Sequence, residues 1–373
     1  MDLGFLRSLY ENPESQAGAG YVSVYLETSP AIEQAPTKVA LRWRSAREQL
    51  AADGADTTTL AAVQDHLTGR THAAPGLAVF GCGGAVRLSS TLTVPPPLEI
   101  SRYARLPHVM PLLAQSPRHV AHVRVGADRE GGQVLAFSAA GTSEQATVHG
   151  ESWPVNKVSV GGWSELRLQR STENTWGDNA KRLADATVVA AERVQAEFVV
   201  VGGDVSERRI ILDLLPPQVR QSTVVVDREA APDAPSFAAA AQAEAARRGA
   251  SESRAKLDDF HARMNGGATS RRAAEGLDAT LTALRDGLAS DVLIADELTL
   301  DATAWIGPGM ADLASAKEQL LDRGIDDPAS ERADAAMARA MAGTDASLFF
   351  LPRDADSPRG GIGALLRAPL AAL

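Results

Sequence analysis

The densest chemistry in the sequence lies between Lys157 and Arg182, where Gly161-Gly162-Trp163-Ser164 leads into Arg167, Gln169, Arg170, Asn174, Trp176, Asn179 and Lys181. Five basic residues (Lys157, Arg167, Arg170, Lys181, Arg182) stand against Glu165, Glu173 and Asp178, a local surplus of 5 − 3 = 2 in a chain of net charge −10. Guanidinium forks grip phosphates, indole rings stack on bases, and a Gly-Gly pair opens backbone conformations closed to other residues. That combination suits contact with RNA. The same residue types also suit a mixed-charge helix start with buried tryptophans, and composition leaves both readings open. Other chemistry is sparse. There is no G-x-x-x-x-G-K-[ST], H-E-x-x-H or G-x-S-x-G, and no strand leading into G-x-G-x-x-G. His119 and His122, three apart in an expected strand, point to opposite faces, so they read as structural and no metal site is expected. Gly202-Gly203-Asp204 reads as a strand-to-helix turn with Asp204 near the helix cap.

The elements that must carry these residues follow from composition and periodicity. At 373 residues, 45% hydrophobic and 23% charged, the chain has the make-up of several globular domains and not of a disordered or fibrous protein. Its net charge of −10 argues against a non-specific DNA coater. The single cysteine, Cys82, excludes intramolecular disulfides and thiolate zinc sites, and fits a reducing, cytoplasmic setting. The opening MDLGFLRSLY lacks the apolar stretch of a secretory leader, and no run is long enough for a membrane helix, so neither is expected. Tyr21 to Leu26 predicts a strand, and Val39, Trp43, Ala46 and Leu50 recur at helical spacing after it. A further helix over Leu60–Leu67 precedes a hairpin at residues 76–88, turned by Gly81, Gly83 and Gly84. Prolines from Pro95 to Pro117 break regular structure and suggest a boundary near Pro117. Beyond it, strands over 119–126 and 133–137, a helix over Asn174–Gln195, and strands Phe198–Val201 and Thr223–Val226 flanking a helix give a βαβ rhythm with parallel pairing. Residues 231–236 read as a linker, and helix 274–288, strand 292–295, helix 334–341 and strand 347–350 form a last α/β unit.

The run G-G-W-S-E-L-R-L-Q-R-x-x-E-N-T-W-x-x-N-A over 161–180 resembles the central-domain signature of bacterial relatives of archaeal and eukaryotic release factor 1 and Pelota proteins. That family holds ribosome hibernation factors and ANKZF-type peptidyl-tRNA hydrolases. M-D-L-x-F-L-R-x-L-Y at 1–10, Y-V-S-V-Y-L-E-T-S at 21–29 and A-E-G-L-D-A-T-L-T-A-L-R-D-G at 274–287 extend the resemblance over nearly the whole chain. It implies an α/β fold of three α/β domains in a release-factor/Pelota-like arrangement. Residues 1–117 would form an N-terminal domain directed at the decoding centre. Residues 118–230 would form an RNase H-like central domain whose Gly-Gly-Trp loop reaches the peptidyl transferase centre. Residues 231–373 would form an L7Ae-like domain that contacts a translational GTPase, by resemblance elongation factor Tu.

The sequence departs from the family where release factors carry Gly-Gly-Gln, since Trp163 follows Gly161-Gly162 here. The expectation is therefore ribosome binding at the A site of idle ribosomes, on 16S and 23S rRNA, without catalysis. The expected RNA contacts are Gly161, Gly162, Trp163, Ser164, Arg167, Gln169, Arg170, Asn174, Trp176, Asn179 and Lys181. The alternative is a peptidyl-tRNA hydrolase or rescue factor that orients water with Gln169, although an amide is a weak general base. Neither cofactor nor metal is expected, and neither DNA nor a membrane is an expected partner.

Overall fold

The computed structural model describes residues 1–11, 18–29, 35–68, 74–92, 94–115, 120–128, 131–138, 143–149, 163–227, 231–265, 271–295, 302–352 and 356–369. At 35–37, 128, 131, 143–145, 147–149 and 163–176 it describes the backbone alone. The chain is mixed α/β and divides into two compact units, Met1–Ser116 with Ala250–Leu373, and Pro117–Gly249.

The first unit begins with α1 (Arg7–Tyr10), β1 (Tyr21–Glu27), α2 (Ala35–Ala52), α3 (Thr57–Thr68), β2 (Gly76–Cys82), β3 (Ala85–Leu92), β4 (Ile100–Ala104) and α4 (Met110–Gln115). The four strands form an antiparallel sheet in the order β3-β2-β1-β4. β1 is apolar along nearly its whole length because both its faces are covered. Val22, Val24 and Leu26 meet Val39, Trp43 and Leu50 of α2 with Leu60 and Val63 of α3. Tyr21 and Tyr25 join the opposite core with Phe80 and Leu9. Gly83 and Gly84 turn the β2–β3 hairpin at φ of 58° and 75°, the positive values that a two-residue turn asks of its centre. Cys82, at the end of β2, is fully buried, with its Sγ 3.7 Å from the Ala19 carbonyl. β4 was not expected amid the prolines. It is tolerated because Pro95, Pro96 and Pro97 precede it and it lies at the sheet edge.

The second unit holds β5 (His122–Asp128), β6 (Gly131–Phe137), β7 (Ser143–His149), α5 (Trp163–Val194), β8 (Phe198–Gly203), α6 (Val205–Leu214), α7 (Pro217–Gln221), β9 (Thr223–Asp227) and the first half of α8 (Pro235–Met264). Strand order is β7-β6-β5-β8-β9. β5, β6 and β7 pair antiparallel, then β8 and β9 continue parallel to β5. Numbered within the unit this is 3-2-1-4-5, the RNase H-like arrangement expected of the central segment. One face packs Val123, Val125, Val134 and Ala136 on Leu183, Ala184 and Ala191 of α5. Phe198 and Val200 on the other face meet Phe237, Ala241 and Ala245 of α8. The stretch read as a linker therefore ends in structure, since Pro235 opens α8 and Phe237 is fully buried. Proline is well placed there, because the first helical position needs no backbone donor.

The rest of the first unit comprises the second half of α8, then β10 (Ala273–Glu275), α9 (Leu277–Arg285), β11 (Ala289–Ile294), β12 (Thr303–Ile306), β13 (Leu313–Ala314), α10 (Lys317–Leu321), β14 (Ala329–Arg332), α11 (Ala333–Thr344), β15 (Ser347–Phe350) and β16 (Ile362–Leu366). These make two sheets, β10-β16-β11-β15 and β13-β12-β14. The expected helix 274–288 is shorter than anticipated, because Ala273–Glu275 pairs with β16 first and Gly276, at φ 84°, turns the chain into α9. The two terminal segments form one unit because they share one core. Leu3, Leu6, Leu9 and Tyr10 pack in the same cluster as Leu281, Leu284, Val292, Met337 and Met341. Arg7 Nη2 donates to the Ala342 carbonyl at 3.0 Å, and the Met1 amino group to that of Leu348 at 2.7 Å. Among the described residues no helix is long and apolar enough to cross a membrane.

Docking of α5 on its sheet is governed by Leu183, which is fully buried, with its side chain against Gly132 of β6. Leu183→Ala is expected to lower the unfolding free energy by about 2–5 kcal/mol through lost burial and the cavity it leaves, read by urea denaturation followed by circular dichroism.

Candidate functional site

Residues 150–162, Gly161 and Gly162 among them, lie outside the described residues. From Trp163 the backbone is α-helical through to Val194, so Trp163, Ser164, Arg167, Gln169, Arg170, Asn174, Trp176, Asn179 and Lys181 share one helix. That helix starts eleven residues before the expected Asn174 (174 − 163 = 11). The side chains of 163–176 lie outside the described residues. Beyond them burial follows the helical period. Asn179 with Ala180, Leu183 with Ala184, Thr187, and Ala190 with Ala191 are buried, whereas Asp178, Lys181, Arg182 and Asp185 are exposed. Lys181 and Arg182 thus lie on the open side of α5 and, among the described residues, neither has an ion pair. Asn179 is a correction. It was expected to contact RNA but is 5% exposed, because the 3.6-residue period sets it in line with Leu183 on the sheet side, where its Nδ2 finds no partner among the described residues.

Sequence reasoning missed a second cluster, on β5 of the same unit. His122 is stacked between Phe137 of β6 and Phe198 of β8, with ring centroids 4.7 and 5.1 Å away and interplanar angles of 10° and 4°. The pairing register creates the stack, since His122 stands opposite Phe137 on one side and Phe198 on the other. Arg124 lies 4.3 Å over the Phe137 ring, and Arg248 of α8 5.3 Å from that of Phe198. Arg124 Nε donates to His122 Nε2 at 3.2 Å, so the proton of the neutral ring resides on Nδ1, which donates to the Val120 carbonyl at 2.8 Å. With both nitrogens committed, His122 has no proton to transfer; it orients Arg124. His119 lies outside the described residues. The only sequence signal for the cluster was a histidine and two phenylalanines in strands, which become neighbours once the register is known.

Asp204 caps α6 as expected, its carboxylate accepting from the Ser206 backbone N–H at 3.2 Å. Among the described residues no three His, Cys, Asp or Glu side chains group so as to hold a metal ion.

Burial, helped by the Arg124 charge and opposed by the Val120 carbonyl, lowers the His122 pKa from the ordinary 6.5. A histidine depressed in the folded state contributes stability that is present above the unfolded value and is lost as pH falls through the folded one. The imidazole is therefore expected to titrate below 6.5 by NMR. In His122→Phe the loss of stability on the acid side is expected to be smaller than in the parent chain.

Residues 121–265 match the family described as bacterial archaeo-eukaryotic release factor family 2. The uncharacterized protein Rv2629 of Mycobacterium tuberculosis strain H37Rv is 29% identical over 355 residues, covering 93% of each chain. Among solved structures, Archaeoglobus fulgidus Pelota is 16% identical with a TM-score of 0.37 over 79% of this chain and 80% of that one. The archaeal Pelota in a model of ribosome-bound Pelota and ABCE1 is 13% identical with a TM-score of 0.36, covering 99% and 95%. The family match runs from Ala121, beside β5, to Asn265, beside the end of α8, and takes in the central sheet with α5. The resemblance expected from the sequence is borne out over that stretch, which matches bacterial archaeo-eukaryotic release factor family 2.

Proposed function

We propose that the chain binds the ribosome as a release factor does but without hydrolysing peptidyl-tRNA, as a hibernation factor of the Balon kind that occupies the A site of idle ribosomes in the cytoplasm. One observation carries this reading: within the stretch that matches the release-factor family, Trp163 stands after Gly161-Gly162 where release factors place glutamine. A glutamine at that point orients the attacking water; an indole has a single N–H donor and no acceptor, and its flat face favours stacking on a base instead. In this proposal residues 1–117 are directed at the decoding centre and 16S rRNA. The central segment, 118–230, brings Gly161, Gly162, Trp163, Ser164, Arg167, Gln169, Arg170, Asn174, Trp176 and Lys181 to 23S rRNA at the peptidyl transferase centre. Residues 231–373 meet elongation factor Tu. Asn179 is not carried into this set. The open position of Lys181 and Arg182 supports the phosphate-contact part of the reading.

The test is sedimentation of the full chain with ribosomes from starved cells, followed by a peptidyl-tRNA release assay on the bound fraction. Co-sedimentation with negligible release is expected, and Gln169→Ala leaves that release unchanged. Strong release by the parent chain that disappears in Gln169→Ala would establish the hydrolase reading in its place.

Phosphate contacts have their own signature. Replacing Arg167, Arg170 and Lys181 together by Ala is expected to weaken ribosome binding by several kcal/mol at most, since each charge-assisted contact is worth ~1.5–3 kcal/mol and they are not additive. The salt dependence should become shallower, because fewer counterions are released. Unchanged affinity and slope in a folded triple variant would remove these side chains from the RNA contact.

A further inference from the structure

The face of the second-unit sheet turned away from α5 is covered unevenly. On the β8 side α8 packs over it, with Phe237, Ala241 and Ala245 against Phe198 and Val200. The neighbouring strands are more open. His122 and Arg124 of β5 and Leu135 and Phe137 of β6 are half-buried and Gln133 is exposed, whereas Val123, Val125, Val134 and Ala136, which alternate with them, are buried on the α5 side. The solvent side of such a sheet usually carries plain polar residues, but here it holds two aromatic rings, a leucine and an arginine.

The rings form a ladder that ends in the open part. Phe198 is fully buried, His122 stacks on it at 5.1 Å and Phe137 stacks on His122 at 4.7 Å, with planes within 10° of parallel. Across the next strand pairing Phe137 stands opposite Ser143 of β7, which has no ring to continue the ladder. Arg124 is fixed beside it, its guanidinium 4.3 Å over the Phe137 ring and its Nε bonded to His122 Nε2 at 3.2 Å. Among the described residues its two Nη groups have no partner, Arg124 forms no ion pair, and both Nη atoms keep accessible surface. Burial lowers the Arg124 pKa with no carboxylate acting against it. Arg248, at the buried end of the ladder, is already neutralised by Glu244 at 2.7 Å. Arg124 is thus the charge that this face has left to offer.

Two Nη groups with four hydrogens make a fork for an anion's oxygens, and a ring at the end of a ladder matches another flat ring. A base with its phosphate supplies both at once. An acidic peptide would meet the fork and leave the ladder unmatched. A free nucleotide calls for a concave site that encloses it, whereas this is an open sheet face on which a strand can lie and add contacts along its length.

We propose that this half-sheet seats an unpaired RNA strand, with one base stacked in line with Phe137, an adjoining phosphate on the Arg124 fork, and the strand running over Leu135 towards Gln133. The seat is on the opposite side of the sheet from the α5 residues assigned to rRNA above and is a second, separate contact. Strand binding stands independently of the A-site reading; the choice of RNA over DNA rests on it.

The experiment is fluorescence anisotropy of the full chain with a labelled oligouridylate of about twelve nucleotides, a length within the span of known strand-binding surfaces. Oligouridylate is expected to bind, and UMP, an RNA duplex of the same length and poly-L-glutamate to compete poorly. The informative variant is Arg124→Gln, which removes no ion pair and keeps its fold by circular dichroism. It should bind about tenfold more weakly, with the slope of log affinity against log salt shallower by roughly 0.7, the share of one phosphate contact on a single strand. Phe137→Leu keeps an apolar side chain but no ring, and should lose about tenfold with the salt slope unchanged. Oligouridylate binding unaffected by either substitution but lost when Arg167, Arg170 and Lys181 become Ala would place the strand on α5 and overturn the proposal. UMP or poly-L-glutamate binding as tightly as oligouridylate would overturn it in favour of a nucleotide or an acidic protein, and a preference for oligodeoxyuridylate would overturn RNA as the occupant. Failure to sediment with ribosomes, with oligouridylate binding and its two losses intact, would sink the A-site reading and leave the strand seat standing.

Discussion

The carboxylate of Asp334, with no exposed surface, is the point on which the first unit depends. It stands at the start of α11, where Arg332 grips it with Nε at 3.0 Å and Nη2 at 2.7 Å, and His108 Nε2 lies 3.3 Å away. The adjoining Ala335 N–H adds a bond of 2.7 Å. Burial alone would raise its pKa, but the hydrogen bonds from His108 and Arg332 outweigh it and hold the carboxyl below the ordinary value, so it stays charged. A charge buried this completely is tolerated only because each of its partners is in place, and losing one would leave the rest uncompensated. One partner comes from the segment before α4 and the other from β14. The network therefore works only when both ends of the chain have come together.

The surroundings of α11 explain why so polar an anchor is useful. From Ala333 to Ala342 every residue of the helix is buried, and most are alanines. Small side chains allow close approach but offer little shape to fix the helix's rotation or its slide along its axis. Asp334 at one end and Arg339 further along, tied to the Gly307 and Asp312 carbonyls, supply directional bonds where packing is permissive. Leu3, Leu6, Leu9 and Tyr10 join the same core, and Arg7 reaches a carbonyl 335 positions away in sequence. Contacts at such separation form late, because a long loop must close before they do.

What the sequence made legible divides along these lines. β1, β8 and β9 were readable because runs such as Phe198-Val-Val-Val201 combine strand-forming residues with clear turn signals, and the C-terminal part of α5 was readable because its apolar residues keep the helical period. The start of α5 at Trp163 was not, since Ser164 to Glu173 is mostly polar and its spacing carries no apolar face. β4, β10 and β12 to β14 are two to five residues long and exist through pairing with distant strands, which no local pattern records. Asn179 was misread because polarity suggests solvent, and only the phase of the helix shows which way it faces. The His122 stack joins residues whose neighbourhood is fixed by register, so it was not open to inference from spacing.

The burial of Cys82 has a practical side. As the chain's only thiol, enclosed beneath the β2–β3 turn and out of reach of solvent, it is chemically silent towards oxidants and maleimides while the fold holds. A cysteine placed on the open side of α5, at Lys181 for instance, would then be the molecule's one reactive sulfur. The native chain thus offers a blank background on which a single fluorophore or crosslinker can report what that helix touches.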